Sequence, residues 1–265
     1  MNGKTYGETW SAITGATRYE FLMQLRRRAV WTVVGLFVAW GFAAFRFYVA
    51  LGGDEAETLS LAQWMASWSL VAQYFAPIGF GILVADRLPR DGGTWVGELL
   101  ETLPGSAGGR FFGKYLGSVA ATLVPLLLIY LAGVAYLVFE RGNLMAIPLG
   151  LLTFAAINLS GLLFVAAFSI SCPAVLWVPL YQTLFVGYWF WGNLLSPDST
   201  IPTISGTILT PVGWYPAAGF FDLKGTNAGD ATAWEAVVSI ASLLALAALA
   251  LYGAHRYLRW QRARQ

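Results

Sequence analysis

Apolar runs of about twenty residues, parted by short polar breaks, organise this chain. Six such runs fall at approximately 30–51, 64–85, 115–139, 147–171, 174–195 and 234–254. Each is close to the roughly 20 residues that a helix needs to cross ~30 Å of hydrocarbon. Only Cys172-Pro173 separates the fourth run from the fifth, which predicts a tight helical hairpin. Ahead of the first run, Trp10, Ile13, Phe21, Leu22 and Leu25 recur at helical spacing and lead to Arg26, Arg27 and Arg28. Residues 1–29 are therefore expected to form an interfacial helix, with a loose basic tail as the alternative, and not a cleaved signal.

Two polar stretches depart from the pattern. Between the fifth and sixth runs, Pro197, Pro202, Pro211 and Pro216 interrupt apolar stretches at 201–208 and 212–221 that are too short to span. Re-entrant or interfacial helices that cap the outer mouth are expected across 196–233. Between the second and third runs, 86–114 forms the longest polar break on the expected cytoplasmic face. Asp91-Gly92-Gly93 makes a turn there, Thr94 can cap a helix, and Leu103-Pro104-Gly105 ends it. Trp95, Leu99 and Leu100 fall on one face of that helix, with Glu98 and Glu101 on or near the other. A short helix at a membrane surface between two spans suits receiving a push from a soluble partner better than it suits chemistry.

Composition sharpens the class. The chain has 265 residues, of which 57% are hydrophobic and 11% charged, and its mean hydropathy is +0.61. Soluble domains carry about 25% charge, so an integral membrane protein is expected. A net charge of +2 says little, but its distribution says more. With the amino terminus inside, thirteen of the sixteen basic residues fall on the cytoplasmic side, Arg46, Arg141 and Lys224 being the exceptions. The positive-inside rule then places both termini in the cytoplasm.

Candidate chemistry is sparse. One cysteine, Cys172, and one histidine, His255, exclude an internal disulfide framework, a cysteine metal cluster and a bis-histidine haem. Gly3-Lys4-Thr5 is only the ending of a phosphate-binding loop, and Gly105-Ser106-Ala107-Gly108 has the wrong spacing for a nucleophile elbow. No span holds a pair of carboxylates. An enzyme is not expected, nor a resident metal or cofactor, nor a nucleic-acid partner. The polar residues inside spans are the remaining candidates. Arg46 lies near the outer end of span one, where it can snorkel or serve a substrate path. Gln73, Asn158 and Gln182 are candidates for interhelical hydrogen bonds or for lining a path. Gly113 and Gly117 form a small-xxx-small pair that favours close helix packing.

Across 86–117 the order of residues resembles the permease subunits of ABC-2 type transporters of bacteria and archaea. That family places an acidic-basic pair, Gly-Thr, Glu-Leu-Leu, Leu-Pro and Gly-Lys between spans two and three. Here these stand as Asp86-Arg87, Gly93-Thr94, Glu98-Leu99-Leu100, Leu103-Pro104 and Gly113-Lys114. Arg18-Tyr19-Glu20-Phe21 likewise looks like the family's elbow helix. The resemblance implies an all-α, single-domain permease (1–265) with six transmembrane helices, an elbow helix, a cytoplasmic coupling helix and re-entrant outer helices. It also implies a plasma (inner) membrane location and a pairing with a second permease copy or a related chain. Separately encoded cytoplasmic ATPases would carry ATP and Mg, and Asp86, Arg87, Thr94, Glu98, Leu99, Glu101, Leu103 and Pro104 would couple to them. A structural membrane subunit that anchors another complex without transporting is the expectation's rival.

Overall fold

A computed structural model describes residues 2–41, 43, 59–87 and 106–264. The second half of the expected first span, with Arg46, lies outside the described residues. So does the expected helix at 94–103, with Thr94, Glu98, Leu99, Glu101, Leu103 and Pro104. The described residues are helical and include no strand. In chain order the helices are α1 (Asn2–Leu25), α2 (Arg28–Gly41), α3 (Leu61–Ala85), α4 (Ala107–Arg141) and α5 (Ala146–Ala174). They continue with α6 (Val178–Tyr188), α7 (Trp214–Phe221) and α8 (Ala233–Arg262).

Four stretches are long and apolar enough to cross a membrane: Leu61–Ala85, Gly108–Arg141, Ala146–Ala174 and Ala233–Gln261. The protein is thus a multi-pass membrane protein. Among the described residues the other two expected spans are shorter helices. α2 is described as far as Gly41, and α6 has 11 residues before a π-helical turn over Trp189–Leu194 extends it.

α3 and α5 form the axis of the bundle, since both contribute to all three apolar clusters of the core. α4 and α8 lie outside them. They leave Leu128, Tyr136, Phe139, Leu249 and Tyr252 exposed on their outer faces, which suits contact with lipid where no water is present to be escaped. No described side chain of α1 belongs to any of these clusters. It is held by other means.

The expected hairpin after the fourth run is present. Cys172–Ala174 makes a 3-10 turn whose Cys172 carbonyl accepts from the amides of Val175 and Leu176. Pro179 then sits in the first turn of α6, where its missing N–H costs nothing.

Two expectations are corrected. α4 begins at Ala107, with Ser106 Oγ accepting from Gly109 N, so 107–114 is the start of a long helix rather than the end of a polar loop. Of the two stretches expected as short helices, 212–221 contains α7 but 201–208 is a string of turns. Thr207 Oγ1 donates to Ile204 O, Ser199 Oγ to Ile201 O, and Thr203 Oγ1 accepts from Ser205 N. Such local bonds compete with helix formation. In α1, Trp10, Tyr19 and Leu22 are exposed while Glu20 and Gln24 are buried.

Two helices start from reciprocal caps. Ser60 Oγ accepts from Gln63 N while Gln63 Oε1 accepts from Ser60 N. Thr232 and Glu235 do the same at the start of α8. Thr232→Ala is expected to lower stability by about 1 kcal/mol, read as a drop in the thermal midpoint in detergent. A midpoint equal to wild type would show that the cap contributes nothing.

Candidate functional site

The first candidate site is the corner where α1, the end of α3 and the start of α4 meet. On α1, Ile13, Ala16, Thr17, Glu20 and Gln24 are each three or four residues from another of the set, so they share a face. That face lies on Gly113 and Gly117 of α4. A Cβ at Gly113 would come within 2.7 Å of Ala16 Cβ and of Ile13 O, and one at Gly117 within 2.6 Å of Glu20 Cβ and of Thr17 O. The small-xxx-small pair therefore packs against α1, with the two backbones in direct approach.

Two ion pairs fasten this corner. The Arg87 guanidinium pairs with the Glu20 carboxylate, and the side chains are each 4% exposed. Gln24 Nε2 donates to Glu20 Oε1 at 3.0 Å and to Ser118 Oγ at 2.6 Å, which ties α4 to the same carboxylate. Beside it, Arg27 grips Asp86 with two parallel bonds of 3.3 and 3.0 Å. This outer pair is partly exposed, and solvent screening makes it weaker than the inner one. The inner pair is of the kind whose disruption is costly, because the remaining charge stays buried.

The second candidate site is a polar layer halfway along the bundle. Ser69 Oγ donates to Tyr130 Oη at 3.0 Å, and Tyr130 Oη lies 2.7 Å from Thr153 Oγ1. Asn158 Nδ2 donates to Ser69 O and to Gln73 Oε1, and Gln73 Nε2 donates to Pro211 O at 3.0 Å. All of these side chains are fully or almost fully buried. Asn158 lies in a π-helical turn, Phe154–Leu159, inside α5. Its two acceptors define which way the amide faces, and the opposite oxygen, Oδ1, has no hydrogen-bond partner.

Pro211 reaches this layer because the chain dips into the bundle. Gln63 Nε2 donates to Asp222 O at the start of α3, and Gln73 lies ten residues on, about 15 Å along the helix axis. From 211 to 222 the chain thus climbs from the middle of α3 back to its amino-terminal end, largely as α7. Two close approaches seat the dip. Gly161 leaves room for Pro211 O and Gln73 Nε2, and Gly213, at φ +93°, rests on Ile157, to which a Cβ would come within 2.6 Å. Thr210 Oγ1 donates to Asn193 Oδ1 in the π-helical turn that extends α6.

The residues singled out from sequence therefore separate. Asp86 and Arg87 sit at the helical corner. Gln73 and Asn158 meet in the polar layer, and Gln182 Nε2 bonds to Ile82 O, joining α6 to α3. Glu20, Gln24, Ser118, Ser69, Tyr130 and Thr153 escaped notice as site residues. Glu20 and Gln24 carried a usable signal, being polar at the helical spacing of Ile13 and Ala16. The hydroxyls carried none, as a lone Ser or Thr in an apolar run is unremarkable. At the far end, the hydrogen bonds that the Lys224 ammonium donates to the Asp222 and Asp230 carboxylates push its pKa above the usual range. Among the described residues no group of three or more His, Cys, Asp or Glu side chains is placed to hold a metal ion. No family model and no curated protein matches the chain.

Proposed function

We propose that this chain is the membrane-spanning permease subunit of an ABC exporter, worked by a separate cytoplasmic ATPase. The observation that carries the reading is the riveted corner. Glu20–Arg87 and Arg27–Asp86 join α1 and its end to the end of α3, where the chain leaves for 88–105, and the Gln24–Ser118 bond ties α4 to the same corner. A force applied to 88–105 would be delivered to three helices together. The order of motifs along that stretch supports the same reading, through its resemblance to ABC-2 permeases. In this proposal 94–103 is the coupling helix, α1 the elbow, and 30–51 and 174–195 complete six spans. Both termini face the cytoplasm of a plasma (inner) membrane, as the basic residues favour. ATP and Mg bind the partner ATPases, and a second permease copy or a related chain completes the transporter.

A second reading, a non-transporting structural subunit, has one observation in its favour. Gln73, Asn158 and Gln182 all bond from helix to helix, Asn158 to Gln73 and Gln182 to Ile82, as scaffold residues would.

One experiment separates the two. The tagged chain is drawn from its native membranes in mild detergent, and ATPase activity is measured in the eluate. The permease reading expects a stoichiometric soluble ATPase that falls to background when 94–103 is scrambled, with the amount of membrane-inserted chain unchanged. An eluate with another membrane complex and no ATPase would establish the structural subunit instead.

A further inference from the structure

The arginines around the α1–α2 corner divide into two groups. Arg27 and Arg87 are consumed by Asp86 and Glu20. Arg18, Arg26 and Arg28 are exposed, and no ion pair engages them among the described residues. The only carboxylate between residues 10 and 32 is Glu20, which is turned inward and 3% exposed. Among the described residues the outward face is therefore cationic without internal compensation.

Aromatic side chains frame that face. Trp10, Arg18 and Leu22 stand on the exposed side of α1, with Tyr19 beside them, and Trp10 and Tyr19 are 69% and 68% exposed. Trp31 is also exposed, and its Nε1 donates to Leu25 O at 2.8 Å, which holds the indole at the corner between the helices. Such rings, apolar in body with one polar handle, favour the headgroup level of a bilayer. Depth agrees with this. α2 is apolar and begins at Arg28, so the arginines lie where the chain enters hydrocarbon. Arg18 and Arg26 are eight residues apart, about 12 Å along α1, too far to share one phosphate.

We infer that this face of α1 and its corner with α2 form a docking surface for anionic phospholipids, engaging at least two headgroups through Arg18, Arg26 and Arg28. The surface is independent of any transport role. Its selectivity is electrostatic, since a zwitterionic headgroup offers the same phosphate with a compensating cation. Each arginine near an anionic leaflet contributes attraction that salt weakens.

The test uses the full chain in detergent, titrated with phosphatidylglycerol or phosphatidylcholine of the same acyl chains, with bound lipid counted by native mass spectrometry. Wild type is expected to prefer phosphatidylglycerol by roughly tenfold or more. The R18Q/R26Q/R28Q variant should lose that preference, and R18K/R26K/R28K should retain most of it. Arg27→Gln should leave the preference in place, because Arg27 is already paired. A triple glutamine variant that keeps the full preference would overturn the inference. So would a wild-type chain that binds the two lipids equally, or an Arg27→Gln chain that loses the preference as completely as the triple variant.

Discussion

Arg87→Ala is expected to destabilise the protein by about 3–5 kcal/mol, the cost of leaving a buried charge without its partner. Glu20 is 3% exposed and, among the described residues, keeps only the amide of Gln24 once the guanidinium is gone. The helix cannot easily swing the carboxylate to water. Gly113 and Gly117 hold the α1 backbone against α4, and Glu20 Cβ is itself one of the atoms packed on Gly117. α1 also has no described side chain in the apolar clusters to keep it docked. Loss of the pair should therefore release α1 selectively, detected as new proteolytic cleavage in residues 10–25 together with a lowered thermal midpoint. Arg27→Ala provides the contrast, since its pair with Asp86 is partly exposed and should cost no more than about 1 kcal/mol. A double variant, Glu20→Leu with Arg87→Met, should recover much of the loss, because apolar replacements of a buried pair are often neutral or better. If Arg87→Ala behaved like Arg27→Ala, the pair would not be buried in the way described.

Gly161→Val is expected to expel the dip at 210–213 from the bundle. The first added carbon falls inside contact distance of Pro211 O and of Gln73 Nε2. The amide end of Gln73 can move, but the Pro211 carbonyl belongs to backbone held by Thr210 and Gly213 on either side. Overpacking of this kind costs typically 1–3 kcal/mol, and the broken Gln73–Pro211 bond leaves a buried acceptor without its donor. The measurement is thiol labelling of Thr210→Cys in a chain whose Cys172 is replaced by serine. Thr210 is fully buried, so labelling should be slow in that background and fast once Gly161→Val is added. Gly187→Ala, with nothing within 4 Å of the added carbon, should leave the rate unchanged. Equal labelling of the Gly161→Val and control chains would mean that 210–213 is not seated in the bundle.

These expectations show which parts of the structure were legible in the sequence. The hairpin at Cys172-Pro173 was, because two long apolar runs with one proline between them have no other way to turn. The close packing of Gly113 and Gly117 was legible too, but its partner was not. Glycine spacing says that a backbone approaches without saying whose, and the answer, α1, is about 100 residues earlier in the chain. The turns at 201–208 were misread as helix because apolar composition hid the Ser and Thr side chains that bond to their own backbone. That α1 buries Glu20 and Gln24 while Trp10 and Leu22 stay exposed was not legible either. A helix at a membrane boundary does not need to bury its apolar residues against protein.

Hydrophobic patterning by itself determined that this chain is a multi-pass helical membrane protein, since runs of that length must satisfy their backbone internally and have no other place to bury their surface. Charge and turn residues determined where the polar breaks fall. Only the tertiary structure decided which polar groups meet: Glu20 with Arg87, Arg27 with Asp86, and Asn158 with Gln73 and Pro211. Those pairings join residues 59 to 138 positions apart. They depend on how helices cross, and crossing is set by side-chain shape at many contacts at once, which no periodicity along a single chain records.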